Sequence, residues 1–127
     1  DFSFSGLKTA VLYHLRDHPG ANRADVACSF QEAAVAAIVR RVVEAVGRRN
    51  FSAVGISGGV AANGVLRRRL AEAAADNGFR LLVPPLELCT DNAAMIAAVG
   101  AERLARFGPS PLDLAARARL PVGAPGV

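Results

Sequence analysis

Cysteine is scarce in this chain. Cys28 and Cys89 stand far apart with no paired spacing, which argues against both a disulfide framework and a paired-cysteine metal knuckle. No apolar run approaches the roughly 18 residues a membrane span needs, because runs such as Ala33 to Val39 end at Arg40 and Arg41. The chain begins without a Met, a basic stretch or an apolar signal core, so its first residues are expected to be neither a secretory nor a lipidation signal. A cytoplasmic location without membrane attachment is the expectation. Lysine is reduced to Lys8, against 14 arginines. The joint abundance of Ala, Arg, Gly and Pro is what a GC-rich coding sequence yields, so the arginine surplus is not in itself a nucleic-acid signature.

What is present describes one folded unit. The chain has 127 residues, 52% of them hydrophobic and 20% charged, with a mean hydropathy of +0.28. That is one core's worth of chain, too apolar for a disordered tail. The net charge of +4 permits contact with RNA or phosphates without requiring it.

Periodicity orders the elements. Asp1 to Gly6 alternates aromatic and small polar residues, as at a strand end or in an ordered loop. Leu7, Ala10, Val11, His14 and Leu15 then predict a helix capped by Ser5 and stopped by Pro19-Gly20. A longer helical pattern follows from Val26 to Val46, with Asp25 as its cap, Ser29 internal and Gly47 as its end. Phe51 to Ser57 reads as a strand, Gly58-Gly59 as a turn and Leu66 to Asp76 as a helix stopped by Asn77-Gly78. Phe79 to Val83 is a second strand, closed by Pro84-Pro85. Thr90 or Asp91 is expected to cap a last helix from Ala93 to about Phe107, stopped by Gly108-Pro109.

Two strand-helix units in tandem imply an α/β fold with a parallel pair. Two strands beside three or four helices are too few for a complete parallel sheet, so the chain is expected to be one piece of a larger α/β domain. Residues 1–108 would form that incomplete lobe. Residues 109–127 would form a Pro- and Gly-rich tail.

Chemistry concentrates in two loops. In Ser57-Gly-Gly-Val-Ala-Ala-Asn63, two glycines after a strand let backbone approach a ligand, and the following helix offers its positive end to a phosphate. Asn63 carries both a carbonyl and an amide for a ribose, phosphate or carbamoyl group. The pattern is neither a P-loop nor a dinucleotide fingerprint, and taken alone a GG turn between strand and helix is more often tight packing than a binding site. Pro84-Pro-Leu-Glu-Leu-Cys-Thr-Asp-Asn92 occupies the equivalent place after the second strand. Open α/β sheets bind ligands at such strand ends. Asp91 there reads as a metal ligand or a helix cap, with capping the stronger prior, and Cys89 as a thiolate ligand or, better, a buried thiol. His14 and His18, four apart, resemble a metal pair only weakly, since Pro19 follows and no Glu lies between them. Arg67, Arg68 and Arg69 point in three successive helical directions, as on a solvated surface.

Four blocks in order carry a family resemblance: Phe2-Ser-Phe-Ser-Gly-Leu-Lys-Thr9, Ser29-Phe-Gln-Glu32, Gly58-Gly-Val-Ala-Ala-Asn63 followed by Leu66-Arg67, and Cys89-Thr-Asp-Asn-Ala-Ala-Met-Ile96. They resemble the C-terminal part of the TsaD family of tRNA threonylcarbamoyladenosine synthesis proteins, formerly called sialoglycoprotein endopeptidases. The resemblance implies a partial ASKHA fold, actin-like and ribonuclease H-like, of which this chain would be most of the second lobe, helix-rich with a short parallel sheet.

It further implies transfer of a threonylcarbamoyl group from its adenylate to the N6 amine of the adenosine beside the anticodon. Asn63 would bind the adenine nucleotide or adenylate, Gly58 and Gly59 would form the phosphate turn, and Asp91 would be one ligand of an iron ion. The family's other metal ligands, a histidine pair in the first lobe, have no counterpart here, so the chain alone is expected to be inactive. The implied partners are tRNA, a paralogous ASKHA subunit and a P-loop ATPase in the bacterial type, or a kinase-bearing complex elsewhere. Other expectations to weigh are a different ASKHA carbamoyltransferase or sugar kinase, and a non-catalytic lobe that binds nucleotide or a partner.

Overall fold

The computed structural model describes residues 4–113 and 115, so the start of the first block and most of the tail lie outside the described residues. The chain divides into two compact units, Asp1–Thr90 and Asp91–Val127. Within the first unit the order is helix α1 (Ser5–Asp17), helix α2 (Arg23–Arg49), strand β1 (Ala53–Gly55), a 3-10 turn (Gly59–Ala62), helix α3 (Gly64–Asn77), strand β2 (Arg80–Leu82) and a second 3-10 turn (Leu86–Leu88). The second unit contributes helix α4 (Ala93–Phe107). The outcome is a helix-rich, partial α/β fold. Among the described residues no helix is long and apolar enough to cross a membrane.

The helix starts differ from expectation in an instructive way. Ser5 does not cap α1; it is the first helical residue, Phe4 holds the cap position, and the Ser5 carbonyl accepts from Thr9 Oγ1 at 3.0 Å. The alternation of Phe4 to Gly6 thus runs into a helix and not a strand end. Helix α2 is capped by Asn22, whose side-chain oxygen accepts from Ala24 N at 2.9 Å, which leaves Asp25 in the first turn. An acid there still interacts favourably with the helix's positive end. Gly47 does not end α2. The helix absorbs it, at a cost of roughly 0.5–1 kcal/mol relative to Ala, and stops two residues later because Asn50 takes the left-handed conformation, φ 52° and ψ 41°.

β1 and β2 pair in parallel with Val54 opposite Leu81, and α3 forms the connection between them. Alternation places Val54 and Leu81 on the face under the helices. There Leu81 packs with two groups of buried side chains: Val35, Leu66 and Leu70, and Val46, Ala74 and Phe79. Leu70 is fully buried. Among the described residues the sheet has these two strands only, and Ala53, Gly55, Arg80 and Leu82 fall on the opposite face. Gly78 ends α3 in the left-handed conformation, as the Asn77-Gly78 pair predicts, and its N–H returns to Ala74 O.

In the second unit α4 covers the expected span, but its cap is Asn92, which accepts from Met95 N at 3.0 Å, and not Thr90 or Asp91. Gly108 closes it.

Candidate functional site

The segment after β1 is where the local backbone departs most from regular structure. Ile56 N donates to Leu82 O at 3.1 Å, extending the strand pairing by one bond, and the chain then turns at Gly58 with φ 79° and ψ 174°. That conformation is essentially reserved for glycine. Gly58 O accepts from Ala61 N at 2.9 Å and Val60 O from Asn63 N at 3.0 Å, which closes the 3-10 turn. Gly58 and Gly59 are both exposed. The glycine pair therefore has distinct roles: Gly58 is required by the backbone, whereas a methyl group at Gly59 would meet nothing within 4 Å.

Asn63 joins this turn to α3. Its side-chain oxygen accepts from Leu66 N at 3.0 Å, so it is the N-cap of the helix, and its amide donates to Gln31 Oε1 on α2 at 3.1 Å. Asn63 stands out in sequence for its two polar groups, and the fold uses both of them. Half-buried and held from two helices, the side chain is fixed in place at the rim of the turn. Its partner Gln31 comes from the Ser29-Phe-Gln-Glu32 block, where nothing in the local sequence assigns it a role.

Arg67 is the larger surprise. Arg68 and Arg69 behave as expected of a solvated surface, paired with Glu72 at 3.8 Å and with Glu32 at 3.1 Å. Arg67 instead turns inward and is partly buried. Its Nε donates to Ala61 O at 2.5 Å, and its Nη2 to Pro84 O at 2.8 Å and Cys89 Sγ at 3.0 Å. Cys89 is 2% exposed and donates to Pro85 O at 3.4 Å, in keeping with a buried thiol. One guanidinium thus links the turn after β1 with the segment after β2. A hint was available: of the three arginines, only Arg67 lacks an acid three or four residues on, where Leu70 and Ala71 stand.

Asp91 belongs to the second unit, where it is exposed and immediately precedes the cap of α4. The capping role favoured for it in sequence falls to its neighbour. His14 and His18 stack with ring centroids 4.6 Å apart, and His18 Nδ1 faces His14 O at 3.1 Å. Among the described residues no group of three or more His, Cys, Asp or Glu side chains is placed to hold a metal ion. These residues alone therefore do not fit an iron site; Asp91 offers a single carboxylate.

Comparison with known proteins gives this geometry a family. The family model described as "TsaD: tRNA N6-adenosine threonylcarbamoyltransferase" matches residues 1–98. The chain is 51% identical over 124 residues to a tRNA N6-adenosine threonylcarbamoyltransferase from Thermosynechococcus vestitus, covering 94% of this chain and 35% of the relative. Proteins of the same name from Acaryochloris marina and Kosmotoga olearia are 49% identical over 129 residues and 46% over 113, covering 96% and 89% of this chain and 35% and 34% of their own lengths. The chain thus spans about a third of the length of the curated relatives it matches.

Proposed function

The chain belongs to the TsaD family, and from that premise we propose that it works as the C-terminal lobe, of ASKHA type, in a tRNA N6-adenosine threonylcarbamoyltransferase. The observation that carries the reading is the strand, glycine turn and helix at Ala53 to Asn77, with Gly58 at φ 79° and the turn exposed at the strand end. Backbone free of a side chain there admits a phosphate close to the positive end of α3.

In the whole enzyme the turn at Gly58 and Gly59 holds the phosphate of threonylcarbamoyl-adenylate, and Asn63 stands beside it as the nucleotide contact. The N6 amine of the tRNA adenosine attacks the carbamoyl carbon, a C–N bond forms, the bond to the adenylate oxygen breaks, and the amine gives up a proton. Holding the leaving adenylate in a preset position lowers the barrier by orientation and by stabilising charge that develops on the phosphate oxygens. In the whole enzyme Asp91 would offer one carboxylate to an iron ion, the rest of whose ligands would have to come from outside this chain, since the described residues do not make a site by themselves. The enzyme acts in the cytoplasm with tRNA, a paralogous ASKHA subunit and a P-loop ATPase. By itself the chain does not catalyse the transfer.

The test is transfer of labelled threonylcarbamoyl to tRNA by the full-length protein carrying this sequence, with and without Asp91→Ala, alongside its iron content. Transfer by the unmodified protein, with iron and rate both reduced in the variant, is the expected result. Unchanged iron and rate in Asp91→Ala would remove the metal role, and absence of transfer by the unmodified protein would remove the function.

A further inference from the structure

Arg67 has no role in the reading above, and its place is chemically unusual. It is the fourth residue of α3, close to the helix's positive end, where a cation is disfavoured. It makes no ion pair among the described residues; its donors go to two backbone carbonyls and a thiol. Those acceptors lie 6, 17 and 22 residues away in sequence. They come from the two segments that follow the two parallel strands, Ala61 from the turn after β1, and Pro84 and Cys89 from the chain after β2.

We propose that Arg67 is a positioning residue for the phosphate turn: by holding Ala61 O and Pro84 O with one rigid fork, it fixes the spacing between the Gly58–Asn63 turn and the Pro84–Cys89 segment. That spacing sets the opening in which an adenylate or adenine nucleotide phosphate is received. The inference rests on the function proposed above and deepens it. Geometry, and not charge, is the reason for arginine. The planar guanidinium donates in several fixed directions at once, whereas a lysine ammonium at the end of a flexible stem keeps the charge but not that fixed fork of donors. Lysine at this position is therefore a non-conservative change.

The experiment compares Arg67→Lys and Arg67→Met with the unmodified full-length protein, and uses Arg68→Lys as a surface control. Binding of ADP is read by isothermal titration, threonylcarbamoyl transfer by KM for the adenylate and kcat, and folding by thermal melting. Both Arg67 variants are expected to weaken ADP binding and raise KM by about tenfold, with kcat at saturation reduced less than threefold. The control should match the unmodified protein. A side chain that only supports the fold would lower the melting temperature and the active fraction, and so kcat, with KM and the ADP affinity unchanged; that pattern overturns the proposal. So does an Arg67→Lys protein with ordinary ADP affinity, or an unmodified protein that binds no ADP. If the unmodified protein binds ADP without transferring threonylcarbamoyl, and Arg67→Lys weakens that binding, the proposed function falls while the positioning role stands.

Discussion

Replacing Asn63 in two ways separates what it does for the fold from what it does for a ligand. Asn63→Ala removes the acceptor for Leu66 N at 3.0 Å and the donor to Gln31 Oε1 at 3.1 Å. Loss of an N-cap costs about 0.5–2 kcal/mol, and loss of the half-buried side-chain bond about 0.5–1.5 kcal/mol. Both bonds belong to one residue, so they do not add strictly, and the expected total is about 1–3 kcal/mol. Asn63→Asp keeps an acceptor for Leu66 N and adds a negative charge at the helix's positive end, favourable by roughly 0.3–1 kcal/mol. Gln31 can turn its amide to present N–H to the new carboxylate. Stability of Asn63→Asp should therefore stay within about 0.5 kcal/mol of the parent. If the turn receives a phosphate as proposed, a carboxylate at its rim repels it, so ADP affinity of the full-length protein should fall at least about tenfold. Urea unfolding followed by circular dichroism reads the first quantity and calorimetric titration the second. An Asn63→Ala protein as stable as the parent would refute the capping argument. An Asn63→Asp protein that binds ADP normally would refute a phosphate beside this residue.

The two glycines should respond unequally. Gly58→Ala forces a side chain into φ 79° and ψ 174° and should cost about 1–3 kcal/mol in urea unfolding; Gly59→Ala should be close to neutral, since a methyl group there has open space. If Gly59→Ala nevertheless abolishes ADP binding in titration, a ligand approaches that backbone directly. In the core, Leu70→Ala removes a fully buried side chain between α2, α3 and β2 and should cost about 2.7–5 kcal/mol. Leu12→Ala, at a residue 64% exposed on α1, should stay within about 0.5 kcal/mol; equal losses in thermal melts would show that the core does not lie where the packing places it.

The sequence made some of this legible and hid the rest for definite reasons. The stop of α3 at Asn77-Gly78, the span of α4 and the glycine turn between strand and helix were readable because each depends on a local backbone preference. The caps were not. Asn22, Asn63 and Asn92 stand among other residues able to cap, and the choice is made by which of them leaves the helix with extended φ and ψ. Arg67 was hidden more deeply. In a run of three arginines, a one-dimensional reading sees a charged surface, whereas its actual partners are carbonyls and a thiol brought close only by the parallel pairing of β1 and β2. Asp91 shows the reverse: its residue type invited two readings, and the cap taken by Asn92 removed one of them. The two loops offered Asn63 and Asp91 as candidates and the family resemblance gave them roles, but the geometry around Asn63 supplied Gln31.

The open side of the sheet leads to a prediction about the chain in isolation. Parallel sheets are ordinarily covered on both faces, yet among the described residues of the first unit α2 and α3 cover one, and Leu82 on the other face is half exposed. Leu86 and Leu88, which follow β2 closely, are exposed as well. β1 and β2 each pair along one side only among the described residues, so both keep backbone groups that a further strand would accept. Charge blunts this surface little: on the strand pair itself, Arg80 is the only charged residue. The isolated chain should therefore self-associate, with a weight-average sedimentation coefficient that climbs over roughly 10–500 µM, the range in which exposed apolar surface and free strand edges drive association. Leu82→Lys places a charge on the open face without touching the buried clusters, and should return the chain toward monomer while leaving its thermal melt unchanged. A parent chain that stays monomeric across that range would mean that the open face is already blunted, and that neither the free edges nor the exposed leucines supply enough surface to hold two copies together.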